Sequence, residues 1–346
     1  MPILNSLSIR LQNHPKRVIF TEGADLRIIK AARQFATRKL GAPILIGDKE
    51  EIKLIAADNE IRLDGIALID PKAYSDTPEL AKALNSIRRF NKKISDAPAE
   101  DFLKNPIAFA SMMLLTNRAD AMLSGVSTSA SSTLRPIMQL IPMQKGLKNI
   151  SSMVILDTNN PAIGISGSLF MTDCGVIPEP TGEQLCDIAY TTSVLAKHLS
   201  SNTIKVAFLS HTSKALNTKL PSVNKMKLAT SLLHDKVQRE NLDFEVDGEM
   251  QIDVALNPQF AEYKGVQSSV AGSANVLIFP ELNSGTMAIR LAMLTNPNMH
   301  YYGHILTGLQ KPVAEIPRIA TVEDIYGTAV IVAAQAVDRK YLFPEA

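Results

Sequence analysis

The chain has no tryptophan and only two cysteines, Cys174 and Cys186, in 346 residues. Two cysteines cannot build a disulfide framework, and they match no zinc-site spacing. Charge of one sign is also missing: 36 Lys and Arg stand against 34 Asp and Glu, a net of +2. That balance excludes the field expected of a nucleic-acid or membrane-surface binder, so any anion must be held by a few placed arginines. No apolar run approaches the roughly 20 residues that cross a bilayer. The opening MPILNSLSIRLQNHPKR lacks the apolar stretch of a secretory leader, so a cytoplasmic, reducing setting is the expectation.

Several motifs are absent as well. Glycine-rich phosphate loops of the dinucleotide or P-loop type do not occur, nor does a G-x-S-x-G nucleophile elbow. Among six histidines only His300 and His304 stand at i, i+4, with no glutamate after the first and Gly303 between them. They do not form a metalloprotease motif, and no metal site is expected.

What the chain does contain is ordinary globular material, 46% hydrophobic and 20% charged, long enough for about two domains. Short β-rich runs alternate with helical periodicity. Arg17–Thr21, Pro43–Gly47, Ile66–Asp70, Ala119–Gly125, Val206–Ser210 and Val276–Pro280 read as strands. Asp25 fits the cap of a helix carrying Ile28, Ile29, Ala32 and Phe35; further helices are expected over about 78–90, 98–116, 222–240 and 322–337. The last has a small-residue face of Ala329, Ala333, Ala334 and Ala336. Met153–Asp157 and Ser168–Asp173 read as adjacent strands, antiparallel pairing being open, before a helix capped near Thr181. This alternation predicts an α/β fold with a parallel sheet covered on both faces.

Ligands of open α/β sheets sit at the carboxyl ends of strands. The run Ser124–Pro136 follows such an end and offers Thr128, Ser129 and Thr133 hydroxyls, a helix start and Arg135. That is the material of a phosphate cradle, and equally of a plain serine-rich loop. Arg88-Arg89 and Lys92-Lys93 fit an anion contact or a solvated face. Asp247, Glu249 and Asp253 gather about an expected tight turn, as acid–base groups or as acceptors for turn amides. Before the last helix, Thr321 and Asp324 fit either chemistry or an N-terminal cap.

Taken together, these segments resemble the phosphate acetyltransferase (phosphotransacetylase) family, which includes phosphate butyryltransferases. RVIFTEG at 17–23 resembles its opening strand and P-E-G turn. Ala119–Gly125 and Thr133–Pro136 resemble A-D-G-x-x-S-G and T-L/I-R-P. Pro180–Leu185 resembles P-T-x-E-Q-L, and Asp247–Asp253 resembles D-G-E-L-Q-x-D. Val270–Gly272 and Phe279–Asn283 resemble V-A-G and F-P-D-L-N; Gly308–Val313 resembles G-L-x-K-P-V. The resemblance implies two α/β/α sandwich domains with an interdomain cleft, isocitrate dehydrogenase-like: 1–145 plus 302–346, and 146–301, the latter forming most of a homodimer interface. It implies the reversible conversion of acetyl-CoA and phosphate into acetyl phosphate and CoA, in acetate metabolism. No organic cofactor and no acyl-enzyme are implied.

The resemblance also assigns roles. Asp324 falls on the family's base and Arg318 on its oxyanion-stabilising arginine. Arg135 and Arg89 fall on its phosphate-side and CoA-side arginines, and Thr128, Ser129, Thr133 and Asn283 are expected as further substrate contacts. An aspartate at its ordinary value of about 3.9 falls about 4.6 units short of a thiol, roughly 6 kcal/mol. The role therefore requires partial burial of Asp324, with guanidinium charge easing thiolate formation.

Four segments depart from the family pattern. Pro317 stands in place of a serine, and Ser210–Leu216 loses the glycine of S-x-S-T-x-G-S. Asn283–Thr286 replaces N-x-G-N, and Tyr302-Gly303-His304 replaces Y-G-P. They keep in view a non-catalytic paralogue binding CoA or acyl phosphate, and a transferase shifted to a butyryl group.

Overall fold

The structure, a computed structural model, describes residues 2–88, 94 and 97–338. Arg89, Lys92 and Lys93 lie outside the described residues. The chain divides into two compact units, one of Leu4–Gln144 with Leu309–Ala346, the other of Met1–Ile3 with Lys145–Gly308.

Helix Pro2–Asn13 belongs to the first unit from Leu4 onward, and that unit then lays down β1 (Lys16–Phe20), β2 (Gly41–Ile46), β3 (Ala67–Ile69) and β4 (Ala121–Ser124). The chain next builds the second unit's strands: β5 (Ser151–Asp157), β6 (Ser168–Thr172), β7 (Ile204–Leu209), β8 (Phe244–Met250), β9 (Val276–Ile278) and β10 (His300–Thr307). It then returns to the first unit as β11 (Val313–Glu315).

Within the first unit the strand order is β3-β2-β1-β4-β11, every pair parallel. Val18, Ile19 and Phe20, and Ala121, Met122 and Leu123, are wholly buried, as continuous apolar runs in a two-sided sheet require. Helix Val322–Gln335 packs against β1, β4, β11 and helix Leu26–Thr37. Residues 324–335 of that helix are all buried. Ala329, Ala333 and Ala334 permit this, because a helix must approach closely to be enclosed on all sides.

Asp25 caps helix Leu26–Thr37 through the Arg27 amide, as its position predicts. The expected continuous helix over 98–116 is instead broken into Ala99–Phe102 and Pro106–Leu115. Asn105 ends the run by accepting the Ile107 and Ala108 amides, and Pro106 then takes a first-turn position, where its missing N–H costs nothing.

In the second unit the order is β10-β5-β6-β9-β7-β8. Here β10, β5 and β6 pair antiparallel, whereas β6, β9, β7 and β8 pair parallel. Gly308 closes this unit because β10 is laddered along β5 up to Thr307. Thr181 and Gln184 form a reciprocal capping box at the start of helix Gly182–Ser200. The core of the unit includes Val154, Leu156, Met171, Leu209, Leu277 and Phe279. One expectation changes here, and one holds. Asp247-Gly248-Glu249 lies within β8, parallel to β7, and not at a tight turn. His300 and His304 lie on β10, so their i, i+4 spacing brings no shared helix face.

Among the described residues no helix is long and apolar enough to cross a membrane.

Candidate functional site

The first unit's parallel strands β1, β4 and β11 end side by side, and the loops leaving them carry most of the candidate residues. Strand ends come first. The Thr21 amide donates to Leu123 O and its hydroxyl oxygen lies 2.7 Å from Ser124 Oγ, while the Ile316 amide donates to Ser124 O at 2.7 Å. Gly125 follows with φ +115, and a Cβ there would sit 2.7 Å from Ile316 O and 3.1 Å from Glu315 Oε1. Glycine is needed at this point because the loops leaving β4 and β11 touch backbone to backbone.

Glu22 shapes the next turn. Its carboxylate accepts the Gly125 amide at 2.9 Å and the Thr128 hydroxyl at 3.0 Å through Oε1, and the Thr21 hydroxyl at 2.8 Å through Oε2. Ser129 then caps helix Ala130–Leu140, its oxygen accepting the Ser132 amide and lying 2.8 Å from Ser132 Oγ. Exposed or half-buried hydroxyls of residues 127–132 thus collect at the positive end of a helix. Arg135 is exposed on that helix, with no side-chain partner among the described residues. Thr133 is different: it is fully buried, and its hydroxyl has no hydrogen-bond partner there. It faces the packed side of the helix, so the expected substrate contact is not offered to solvent.

On the neighbouring loop Arg318 is exposed, and its guanidinium reaches Ser127 O at 3.4 Å. Pro317 accepts the Ala320 amide through its carbonyl at 2.9 Å, which closes the turn from 317 to 320. Asp324 is 5% exposed at the start of helix Val322–Gln335. Its Oδ2 accepts the Thr321 amide at 2.9 Å and the Thr321 hydroxyl at 2.8 Å, while its own amide donates to Thr321 Oγ1 at 3.2 Å. The capping alternative is therefore realised, and it is realised by the same carboxylate that carries the chemical assignment.

Two residues of this edge carried no role in the sequence reading, Glu22 and Arg27. Their signal was present as an acid just after a buried strand and an arginine in the first turn of the helix that follows. Arg27 donates to Asp25 Oδ1 at 3.1 Å and Oδ2 at 2.8 Å, to Arg318 O at 2.7 Å, to Ala320 O at 3.1 Å and to Val126 O at 3.2 Å. Burial pushes the Asp25 carboxyl up, but the Arg27 fork, the Arg27 amide and the nearby positive charge together hold it below its ordinary range.

Asn283 belongs to the second unit, exposed in the first turn of helix Leu282–Thr295, where its amide donates to the cap Glu281 at 2.7 Å. In the same unit the loop after β7 has Lys214 at φ +54. Its amides and hydroxyls are held instead by β8: Glu249 accepts the Thr212 hydroxyl at 3.0 Å and the Ala215 amide at 2.7 Å. Asp247 pairs with Lys214, and Asp253 with Lys264 at 3.0 Å. The three carboxylates thus serve separate partners. Among the described residues no three His, Cys, Asp or Glu side chains gather as metal ligands. A mainly apolar cavity of about 380 Å³ lies at the ends of β7 and β9, against Leu209, His211, Ile252, Phe279 and Ala288.

The first unit is thus an α/β fold whose parallel sheet carries two capped helix starts, hydroxyls and exposed arginines at its carboxyl edge, the edge at which ligands of such sheets sit. The chain belongs to the phosphate acetyl/butyryl transferase family: the sequence model described as "Phosphate acetyl/butaryl transferase" matches residues 3–333. It is 34% identical over 336 residues to the phosphate acetyltransferase of Acetivibrio thermocellus, covering 97% of this chain and 98% of that one. Among solved structures it is similar to a phosphotransacetylase from Streptococcus pyogenes, with TM-score 0.84 and 30% identity over 97% of this chain and 98% of that one. The EutD phosphotransacetylase from Staphylococcus aureus gives the same TM-score, 0.84, at 29% identity over 97% of this chain and 98% of that one.

Proposed function

We propose that this protein is a phosphate acetyltransferase, interconverting acetyl-CoA plus phosphate with acetyl phosphate plus CoA by direct thiolate attack. In the direction of acetyl-CoA synthesis, Asp324 takes the thiol proton of CoA and the sulfur attacks the acetyl carbonyl carbon of acetyl phosphate. The C=O electron pair moves onto oxygen beside the Arg318 guanidinium. Collapse re-forms the carbonyl and breaks the carbon–oxygen bond to phosphate, which leaves toward Arg135 and the Thr128 and Ser129 hydroxyls. Arg89 and Asn283 are further substrate contacts in this reading. The reaction calls for no organic cofactor and no metal.

The observation that carries the proposal is the joining of two loops at one sheet edge. The 125–129 loop with its hydroxyls and the 316–321 loop with Arg318 meet through the Arg318–Ser127 contact and the bonds of Arg27. In this reading the pairing supports Arg318 as the proposed oxyanion stabiliser, next to the hydroxyls proposed to hold the phosphate. We also propose a cytoplasmic homodimer. Its support is one face of helix Leu282–Thr295, where Met287, Leu291 and Leu294 are 65%, 64% and 84% exposed. Those apolar side chains recur at i, i+4 and i+7, and a second copy of the chain would cover them.

Purified protein mixed with acetyl phosphate and CoA is expected to form thioester, followed by its ultraviolet absorbance, and to do so more slowly with butyryl phosphate. No thioester from either substrate, together with tight CoA binding, would replace the proposal with the non-catalytic paralogue. Faster turnover of butyryl phosphate would shift the acyl group instead.

A further inference from the structure

The geometry points to Arg27 as a positioning residue that clamps the two loops of the candidate site to each other without touching substrate. This inference rests on the transferase reading for its kinetic part only.

A guanidinium has five N–H donors, and those of Arg27 are all spent inside the protein. Nε and one Nη2 hydrogen go to Asp25, the other Nη2 hydrogen goes to Val126 O, and the two Nη1 hydrogens go to Arg318 O and Ala320 O. Nothing remains for a phosphate or a carbonyl. That separates Arg27 from Arg318, whose one long bond leaves donors to offer, and from exposed Arg135. The three carbonyls belong to two segments nearly two hundred residues apart in sequence, one carrying Thr128 and Ser129, the other carrying Arg318 and leading into the Thr321–Asp324 cap. Asp25 fixes the fork from behind while capping the helix on which Arg27 sits. The planar fork is therefore anchored to a helix at one side and spans both loops at the other. A lysine, with donors radiating from a single nitrogen, can keep the pairing to Asp25 but cannot span three carbonyls in this way.

The expected consequence is kinetic. Loosening the two loops displaces the oxyanion donor from the phosphate hydroxyls, and a displacement of about 1 Å costs about 10²-fold in rate. Affinity for CoA is expected to stay as it is, because Arg27 has no donor left to offer a ligand.

The test uses the full chain with Arg27→Lys, and Arg27→Gln as a second variant, each measured for kcat, for KM toward CoA and acetyl phosphate, and for amide hydrogen exchange by segment. Support requires kcat to fall about 10²-fold with KM nearly unchanged, while exchange rises together in residues 125–129 and 316–321 and stays as before in β2 and in the second unit. Exchange unchanged in either loop overturns the clamp. So does a KM that rises with kcat intact, which would make Arg27 a substrate contact. If only Arg27→Lys folds, its result alone decides. If the wild-type protein gives no thioester, the transferase reading falls, and the exchange pattern by itself then upholds or overturns the clamp.

Discussion

Replacing Asp324 by asparagine separates the helix cap that its carboxylate forms from the proton transfer proposed for it. As a cap, Asp324 gives Oδ2 to the Thr321 amide and hydroxyl, at 2.9 and 2.8 Å. An asparagine oxygen accepts the same two hydrogens, so the cap survives. What is lost is a negative charge in the first turn of helix Val322–Gln335, worth about 0.3–1 kcal/mol against the helix dipole. As a base, Asp324 has no substitute in an amide, which does not take up a proton at neutral pH. A positioned general base contributes typically about 10²–10⁴ in rate, or about 2.7–5.5 kcal/mol of barrier. The two roles thus differ by several kcal/mol in the quantity each affects. Thioester formation from saturating acetyl phosphate and CoA is expected to slow by about 10²–10⁴, with KM nearly constant and the melting temperature down by only a few degrees. Asp324→Ala, which removes the acceptor as well, should show the same loss of rate and a clearly larger loss of stability. If Asp324→Asn instead changes kcat and KM equally and slightly, the carboxylate is a helix cap and nothing more, and the proposed proton transfer is wrong.

Other expectations follow from single residues. Pro317→Ser restores a hydroxyl at a position whose carbonyl, not its side chain, closes the turn; kcat is expected to rise, by up to the roughly 10²–10³ that one transition-state donor supplies, and an unchanged kcat would mean the loop no longer uses a donor there. Burial pushes the Asp120 carboxyl up, but hydrogen bonds from the Arg17 side chain and amide, and the charges of Arg17 and Lys16, hold it below its ordinary range. Its contribution is therefore complete above the usual aspartate value of about 3.9 and is lost as pH falls below that toward the lower folded value. Asp120→Asn should cost about 1 kcal/mol at neutral pH, the pair being partly exposed, and the loss should shrink in acid denaturation scans below about pH 4. Burial raises the Cys174 thiol well above its ordinary value and pushes Cys186 up to about 11. Both thiols should resist a disulfide reagent at neutral pH and react together only on unfolding; rapid labelling of the native protein would contradict their burial.

The first unit's strands were legible because a buried parallel strand needs an unbroken apolar run, and Val18–Phe20 and Ala121–Leu123 supply one. Strand β11 was not legible, since Val313–Glu315 is too short to show a period and takes its place by pairing with β4. The break at Asn105-Pro106 was missed because apolar spacing continues across it while the cap chemistry does not. In the site, the hydroxyl run and Arg318 could be found from residue type and motif order. Thr133 could not be sorted from Thr128 in that way, because which hydroxyl faces inward depends on the helix packing.

Glu22 and Arg27 show a different limit. Each acts through backbone groups: Glu22 through the Gly125 amide, Arg27 through the carbonyls of Val126, Arg318 and Ala320. A backbone carbonyl is present at every position, so no pattern of side chains announces which of them an arginine will reach. The partner is chosen by the fold, once β1, β4 and β11 end level with one another. The same reasoning explains why Asp324 stayed ambiguous in the sequence. T-x-x-D at a helix start and a base at a strand-end loop ask for the same residue at the same place, since the first turn of a helix there is both where a carboxylate is held still and where a substrate arrives. The observed cap and the proposed base fall on one carboxylate, and only a substitution that keeps the cap while removing the charge can part them.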